Sequence, residues 1–350
     1  MPYLSGGPRS MFSGRGRTRR RFIAQSGGAV LVGAALAAGL GRVRVAGAAS
    51  KVTIGLASVP CQAPAYVALA QGYFEDEGLA PSVVVNPEVG DIMPALASQK
   101  IDAGLTTVWA VVPPRLPAGK TLGDMVITAP LQRGCLALSV PTGSEVETLA
   151  DLRGMNVAGN KFLYGSAIAE AGVDPGVEIV WSPAPTAANV LATLQDGEFA
   201  AVQSPDGQGA LLEVVGVARM IGMNNMPPSE MNYCCACVMS ASSVQTDRPR
   251  AAAITRALMR GSAWAEANRS QTAELMRGPM TLPAQREITQ EDMEAALAMQ
   301  AFVPMADAAR PILIGQFDGY MSYGLPVDPV MDAATLVSRI FMPLTVELSA

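Results

Sequence analysis

An α/β architecture in two lobes is the fold class that this sequence predicts, and three observations predict it. Strand-like and helix-like segments alternate along the chain, which is typical of mainly parallel sheets flanked by helices. The alternation resets near residue 135, and one helix–turn–strand pattern occurs on each side of the reset. The 350 residues less the first 48 leave 302, more than one hydrophobic core usually organises. We therefore expect two sheets, each with its own core.

Before the reset, short apolar runs predict buried strands, and the runs between turn residues predict helices. The predicted elements are strands at 52–56, 82–85 and 101–105, a helix at 65–70, and a helix at 92–99 that Asp91 caps. After the reset, strands are predicted at 135–140, 177–181, 199–203 and 233–239, with helices at 163–171, 186–194, 250–268, 270–276 and 290–302. Residues 51–132 and 240–350 are expected to form one lobe, and residues 133–239 the other.

The first 48 residues resemble a twin-arginine signal peptide. They contain eight arginines, no lysine and no acidic residue. Arg19 and Arg20 precede an uncharged run at 22–41, and small residues follow at 46–48, as a signal peptidase requires. A membrane anchor is the alternative, but five glycines make the run too weakly apolar for one. The segment predicts a periplasmic protein exported by the twin-arginine route.

Charge and composition exclude several classes of function. Without the first 48 residues, Lys and Arg fall from 25 to 17 against 30 Asp and Glu, a net charge near −13. Such an acidic chain is not built to bind nucleic acid or anionic lipid. The chain contains no histidine, which removes Ser-His-Asp and Cys-His catalysis and His-ligated zinc. We therefore expect no enzyme, no cofactor and no metal site. The five cysteines, Cys61, Cys135, Cys234, Cys235 and Cys237, are odd in number and clustered, which is not the pattern of a regular disulfide framework.

Two motifs carry a resemblance to a known family. The segment 64–79, PAYVALAQGYFEDEGL, resembles the opening motif of binding proteins for nitrate, sulfonates, taurine and thiamine-pyrimidine precursors. The segment 149–157, LADLRGMNV, resembles the turn that begins their second lobe. The resemblance covers residues 51–345. It implies a type II periplasmic binding protein fold with the ligand in the cleft between two lobes. It also implies a monomeric solute-binding subunit of an ABC importer, with permease and ATPase subunits as partners, that takes a small organic or oxyanionic ligand.

The candidate ligand-binding residues follow the predicted strands, because open α/β sheets bind ligands beyond the carboxyl ends of their strands, where helix N-termini point. They are Cys61, Gln62, Tyr66, Asp91, Thr106, Thr107, Trp109, Lys161, Tyr164, Ser166, Gln203, Asp206, Cys234 and Cys235. The aromatic members would supply flat apolar walls. Lys161 or Arg133 facing the cleft would favour an oxyanion. Asp91 and Asp206 would instead favour a cationic or amine-bearing ligand, so the charge of the ligand stays open.

The segment 233–237, Tyr-Cys-Cys-Ala-Cys, resembles in part the cysteine-rich strand of the eukaryotic thiamine-pyrimidine synthases, which share this fold. Their reaction consumes a histidine of the enzyme, and this chain has none. Strand alternation places Cys235 and Cys237 on one side and Cys234 on the other. We expect Cys234 or Cys235 to line the pocket, while metal site, disulfide and core filler remain open. Two alternatives also stay open: an enzyme using other chemistry on this fold, or a protein that handles soft metals. The latter is favoured by the methionines near these thiols, Met220, Met223, Met226, Met231 and Met239.

Overall fold

The computed structural model describes residues 49–86, 88–112, 124–205, 207–278, 287–305 and 307–344. The predicted signal peptide at 1–48 and the candidate ligand residue Asp206 lie outside these ranges. The described residues form ten strands, which are β1 (Ser50–Ala57), β2 (Leu79–Asn86), β3 (Ala103–Thr107), β4 (Met125–Pro130), β5 (Ala137–Pro141), β6 (Asn156–Ala158), β7 (Val180–Ser182), β8 (Ala201–Ser204), β9 (Ala218–Met223) and β10 (Cys235–Ser240).

The described helices alternate with these strands as far as β10 and then follow one another to the end. They are α1 (Ala63–Ala70), α2 (Tyr73–Asp76), α3 (Ile92–Ala97), α4 (Lys161–Glu170), α5 (Val190–Gln195), α6 (Gln208–Val214), α7 (Ala241–Thr246), α8 (Arg248–Ala267), α9 (Arg269–Arg277), α10 (Gln290–Ala298), α11 (Ala309–Ser322) and α12 (Ala333–Ile340). The longest, α8, has 20 residues and begins where the Asp247 carboxylate accepts a hydrogen bond from Arg250 N at 3.1 Å. No helix in the described ranges combines the length and apolarity needed to cross a membrane.

The strands form two five-stranded sheets of the same topology. The first has the order β2-β1-β3-β10-β4 and the second β7-β6-β8-β5-β9. In each, four strands point the same way, while β10 or β5 is antiparallel to both neighbours. The predicted α/β class and mainly parallel sheets are thus confirmed, with the correction that each sheet is mixed. The reversed strand is the first one after the chain crosses between sheets. It lies inside the sheet, between two strands that point the other way.

Two short segments make these crossings. The first crossing, residues 131–136, joins β4 to β5, and the second crossing, residues 224–234, joins β9 to β10. The division into lobes at 132/133 and 239/240 remains a proposal. The pairing of β10 with β3 and β4 argues for a second boundary before Cys235. Cys135 lies in the first crossing, ahead of the strand it was expected to begin, because its backbone N–H donates to Asn224 Oδ1 at 3.3 Å.

Turn chemistry explains the largest displacement of a predicted strand. The strand expected at 177–181 is β7, which begins only at Val180. The Asp174 carboxylate accepts hydrogen bonds from the backbone N–H groups of Gly176 and Val177, at 2.8 and 3.2 Å. These bonds hold residues 174–178 in a turn. Only the last two residues of the alternating segment 177–181 therefore enter strand β7.

Candidate functional site

The carboxyl ends of the parallel strands of both sheets lie beside the two crossings, so this is where the lobes meet. The backbone N–H of Gly207, after β8, donates to the carbonyl of Cys135 at 2.7 Å. A Cβ placed on Gly207 would lie 3.1 Å from Pro60 Cβ, so the loop after β8 touches the loop after β1. The two crossings are also bonded to each other, since Cys234 N donates to the Gln132 carbonyl at 2.9 Å. We call this region the floor of the cleft.

Four of the five cysteines lie at the floor. Cys135 and Cys234 form a disulfide between the two crossings, with Cα atoms 6.4 Å apart and a sequence separation of 99. The Sγ atom of Cys235 lies 3.9 Å from that of Cys135. The Sγ atoms of Cys61, Cys135 and Cys235 all lie within 4.8 Å of one another. We call these four residues the sulfur cluster; all of them are buried. Cysteine spacing alone did not predict this pairing, because five cysteines allow several.

The fifth cysteine, Cys237, belongs to a different environment. It lies two residues further along β10, in the core between the first sheet and α8. Burial raises the pKa of its thiol to about 12, although hydrogen bonds with Thr128 and Thr255 oppose the rise. Cys237 is therefore core filler, while Cys234 and Cys235 reach the floor. Whether either one contacts a ligand remains a prediction.

Several polar side chains at the floor are buried yet have an N or O atom with no hydrogen-bond partner in the described part of the chain. Gln62, Thr106, Gln132 and Gln300 are each at most 2% exposed. Their atoms without a partner are Gln62 Oε1, Thr106 Oγ1, both amide atoms of Gln132 and both amide atoms of Gln300. Gln62 Nε2 donates to the Leu105 carbonyl at 3.2 Å and to Cys61 Sγ at 3.9 Å. Buried polar groups are nearly always paired, so a set at one place indicates a site for a polar ligand or for water.

Aromatic side chains from both lobes meet beside the floor. Trp109 follows β3, Phe162 lies in the first turn of α4, and Tyr320 lies on α11. The Trp109 and Phe162 ring centroids are 6.3 Å apart, and the Phe162 and Tyr320 centroids 5.5 Å apart, all edge to face. Sequence reasoning identified Trp109 but missed Phe162 and Tyr320. The sequence signal that could have identified Phe162 is its place in the first turn of a helix that follows a buried strand. We call this group the aromatic wall.

A cavity of about 320 Å³ adjoins the aromatic wall. Phe162 and Ser166 of α4, Met231 of the second crossing, and Gly315 and Tyr320 of α11 line it. Of the candidate ligand residues, only Ser166 lines this cavity. Burial raises the pKa of Tyr320 to about 12, while hydrogen bonds with Gln316 and Asn224 oppose the rise.

Three of the other candidate residues use their polar atoms within the protein. Tyr66 is buried and its hydroxyl donates to the Ala57 carbonyl at 3.3 Å. Gln203 Oε1 accepts from the backbone N–H of Asn160 at 3.0 Å, which ties the end of β8 to the start of α4. Asp91 is exposed, and its carboxylate accepts from Glu88 N at 3.1 Å. Asp91 therefore caps the short 3-10 turn before α3 instead of α3 itself.

The last three described candidates lie at β3 and along α4. Thr107 ends β3 and is paired in register with Cys235. Lys161, half-buried, has its ammonium beside Gly176 and Gly324. Tyr164 is fully buried on α4, and its hydroxyl has no hydrogen-bond partner among the described residues. Burial raises the pKa of Tyr164 well above its usual value, and the neighbouring Tyr320 adds to the rise. The structure thus brings Cys61, Gln62, Thr106, Thr107, Cys234 and Cys235 together at the floor.

Solved structures share this architecture at low sequence identity. The alkanesulfonate-binding protein SsuA from Xanthomonas axonopodis pv. citri, bound to MOPS, has a TM-score of 0.65 and 17% identity, covering 84% of this chain and 99% of that one. The periplasmic nitrate-binding protein NrtA from Synechocystis PCC 6803 has a TM-score of 0.66 and 14% identity, covering 83% and 86%. The desulfurization enzyme DSZB has a TM-score of 0.53 and 15% identity, covering 80% and 94%. The predicted type II periplasmic binding protein fold is confirmed, and an enzyme also uses it.

In sequence, no curated protein matches this chain significantly. The family model described as NMT1/THI5 like matches residues 60–272. That range begins in the loop after β1 and ends within α9, so it includes both crossings and all four residues of the sulfur cluster. The resemblance drawn from the two sequence motifs is thereby confirmed: the chain belongs to the NMT1/THI5-like family.

Proposed function

We propose that this chain is the extracytoplasmic solute-binding subunit of an ABC importer, which closes its two lobes on a small organic or oxyanionic ligand. The observation that carries the proposal is the set of buried polar side chains at the floor whose N and O atoms have no partner in the described ranges. An unpaired buried polar group costs about 1–3 kcal/mol, so the three glutamine amides and the threonine hydroxyl at this place are expected to find their partners in a ligand or in water. A ligand that enters between the lobes supplies the missing partners.

The chemistry of the floor favours one ligand class over the others. The unpaired atoms of Gln132 and Gln300 include both N–H donors and carbonyl acceptors. A bare oxyanion has acceptors only and is repelled by amide oxygens, whereas an aminopyrimidine ring presents both kinds of group. The aromatic wall gives a flat ligand a surface to pack against. Among sulfonate, nitrate and pyrimidine or thiamine-precursor ligands, we therefore favour the pyrimidine class.

We also propose that the chain binds its ligand without converting it. It has no histidine, and a protein that presents its ligand to a permease needs only to bind and release it. Chemistry on the bound ligand is the alternative, because DSZB has the same fold. To distinguish binding from catalysis, the protein is incubated with its ligand and the mass of the recovered ligand is measured by mass spectrometry. An unchanged ligand mass supports binding alone, and a new product supports the enzyme.

The test of ligand class is native mass spectrometry of the purified protein, followed by titration with an aminopyrimidine, an aliphatic sulfonate and nitrate. We expect the aminopyrimidine to bind most tightly. Nitrate or sulfonate binding with no response to the aminopyrimidine would contradict the class. Binding of none of the three, with no retained ligand, would argue against the proposed function.

A matched pair of variants tests the role of the floor. Gln132→Met removes a buried amide that has no partner in the described ranges, so it should raise the free energy of unfolding by about 1 kcal/mol and weaken ligand binding. Gln316→Met is the control, because Gln316 Oε1 accepts from Tyr233 N at 3.0 Å and Nε2 donates to the Tyr233 carbonyl at 2.6 Å. This control should lose stability instead. If Gln132→Met lowers the free energy of unfolding as much as Gln316→Met does, then Gln132 has a structural role and not a ligand-binding one.

Export by the twin-arginine route and a periplasmic location are part of the same proposal. They rest on Arg19, Arg20 and the weakly apolar run at 22–41. Replacing both arginines by lysine should leave unprocessed precursor in the cytoplasm. Normal processing of that variant would contradict the route but would leave the binding proposal intact.

A further inference from the structure

We propose that the sulfur cluster is a binding site for a soft metal ion, such as Zn²⁺, Cd²⁺ or Cu⁺, and that reduction of the Cys135–Cys234 disulfide opens it. Cys61, Cys135 and Cys235 supply three sulfur ligands, and Cys234 supplies a fourth once it is released. Thiolates are the ligands that such ions prefer. The inference goes beyond ligand transport and holds for any organic ligand of the cleft.

The spacing of the sulfur atoms matches a thiolate metal site. A Zn–S bond of about 2.3 Å in tetrahedral geometry places neighbouring sulfurs about 3.8 Å apart. The Cys135 and Cys235 Sγ atoms are 3.9 Å apart, and all three sulfurs of the Cys61, Cys135 and Cys235 set lie within 4.8 Å of one another. A bound ion would therefore need to draw the Cys61 sulfur inward by at most about 1 Å.

The backbone that carries these sulfurs is held in place from several directions. Cys61 lies in the 3-10 turn after β1, while the other three lie on the two crossings or at the start of β10. Leu131 N donates to the Cys235 carbonyl, and Cys234 N donates to the Gln132 carbonyl, both at 2.9 Å. The four cysteines are at most 2% exposed, so water does not compete for the ion. A fixed and dry shell of this kind favours tight metal binding.

Reduction and metal binding balance as two steps. A phosphine reductant and one water molecule cleave the disulfide: phosphorus gains the water oxygen and is oxidised, and the sulfurs of Cys135 and Cys234 each gain a proton. The metal then displaces one proton from each thiol that binds it. Three thiolates around a divalent ion leave a net charge near −1. The nearest cation in sequence is Arg133, two residues from Cys135, whose guanidinium lies over the Tyr233 ring, 5.2 Å from its centroid.

Cys237 provides the internal control. It is as buried as the cluster cysteines and lies on the same strand as Cys235. Its thiol hydrogen-bonds with Thr128 and Thr255 instead of approaching another sulfur. If burial alone determined metal binding, replacing Cys237 would weaken it as much as replacing Cys235. If the sulfur cluster is the binding site, only the replacement of Cys235 should weaken metal binding.

The experiment titrates Cd²⁺ into the full chain, once oxidised and once after phosphine reduction and anaerobic removal of the reductant. The thiolate-to-metal charge-transfer absorbance reports sulfur ligation, and native mass spectrometry reports the number of ions bound. We expect the reduced protein to bind a single Cd²⁺ ion at least ~100-fold more tightly than the oxidised protein. Equal binding by both forms, or no binding by the reduced form, overturns the proposal.

Variants locate the ligands. Cys61→Ser and Cys235→Ser should each weaken Cd²⁺ binding about 100-fold or more, while Cys237→Ser should leave it unchanged. Equal weakening in all three overturns the proposal. If the cluster variants fail to fold, X-ray absorption of Cd²⁺ in the reduced wild-type protein decides: three or four sulfur neighbours support the site, and a shell of oxygen or nitrogen overturns it. Neither titration uses an organic ligand, so failure here leaves the proposed transport function untouched, and the reverse also holds.

Discussion

The two lobes are joined at the floor and at the aromatic wall in physically different ways. At the floor, a disulfide and backbone hydrogen bonds tie the two crossings together. At the wall, the contact is mainly side-chain packing: Trp109 from the first lobe meets Phe162 of α4 and Tyr320 of α11, and α11 lies against α4. The Tyr320 side chain adds hydrogen bonds with Gln316 and with Asn224 of the second crossing. Covalent and backbone links keep their geometry when the lobes move, whereas side-chain packing can separate and re-form. The floor is therefore suited to be the pivot and the wall to be the part that opens.

The largest expected effect comes from removing the covalent link. Cys135→Ser with Cys234→Ser releases a loop of about 100 residues, for which chain-entropy estimates give about 4–5 kcal/mol. The measurement is urea unfolding of the oxidised protein in the presence of a chelator, so that no metal replaces the bond. Cys237→Ser is the matched control and should cost about 1 kcal/mol, since it alters a buried thiol outside the disulfide. Equal losses in the two proteins would show that the disulfide does not constrain the crossings.

Tyr320 of the aromatic wall should lower the stability of the folded protein at alkaline pH. The pKa of Tyr320 is about 12 in the folded protein, against an ordinary value of 10.0, mainly because burial disfavours the phenolate. Between pH 10 and 12 the unfolded chain releases this proton while the folded chain keeps it, so stability falls as pH rises. The contribution is complete below pH 10, and two pKa units correspond to a loss of about 2–3 kcal/mol by pH 12. Tyr320→Phe should remove that part of the decline.

A core thiol gives the comparison for this pH effect. Cys237, whose pKa is about 12 against 9.0, begins to destabilise the protein one pH unit earlier than Tyr320. Chemical unfolding at half-unit steps from pH 8.5 to 12, within the range that the two pKa values define, distinguishes them. Cys237→Ser should flatten the curve from pH 9 and Tyr320→Phe only from pH 10. A Tyr320→Phe curve that parallels the wild type throughout would mean that the wall admits water.

A glycine at the α4–α11 contact tests how closely the wall is packed. A Cβ on Gly165 of α4 would lie 2.7 Å from Tyr323 Cβ, so Gly165→Ala should lower the free energy of unfolding by about 1–3 kcal/mol. Gly315→Ala on α11 is the control, because a Cβ there meets nothing within 4 Å. Alanine is the better helix former, so this control should gain up to about 1 kcal/mol. Thermal melting of the two variants should therefore shift in opposite directions.

The floor and the wall also differ in how far the sequence predicted them. The strands β4 and β9, which lead into the two crossings, were not predicted. The predicted strands that end at the floor, which became β1, β3 and β8, follow from apolar runs and turn residues, which are local signals. The sequence therefore placed Cys61, Gln62, Thr106 and Cys234 near one another. It did not predict the wall, because Phe162 and Tyr320 are 158 positions apart and meet only through the packing of α11 on α4. Local patterns carry no information on such a contact.

The sequence also failed where tertiary hydrogen bonds override a local pattern. Cys135 belongs to an apolar run typical of a strand, yet Asn224, far along the chain, binds its backbone N–H and holds it in the first crossing. The apolar run at 177–181 yields to the turn that Asp174 stabilises. Pairing of Cys135 with Cys234 was equally beyond local reasoning, since it depends on two crossings meeting at one place. In each case the deciding partner lies outside the pattern or in a turn that competes with it.

The smallest expected effect concerns the contact between the lobes at the floor. Gly207 has φ +84° and Gly216 has φ +77°, so alanine at either position incurs a similar backbone cost of about 1–2 kcal/mol. They differ in their surroundings: a Cβ on Gly207 would lie 2.6 Å from Gln300 Nε2 and 3.1 Å from Pro60 Cβ, whereas a Cβ on Gly216 meets nothing within 4 Å. Gly207→Ala should therefore lose somewhat more stability than Gly216→Ala, and it alone should hold the lobes apart. Small-angle X-ray scattering should show a larger radius of gyration for Gly207→Ala alone. Identical scattering of the two variants would mean that the loop after β8 moves aside to accommodate the added Cβ. The pivot would then not lie at the floor.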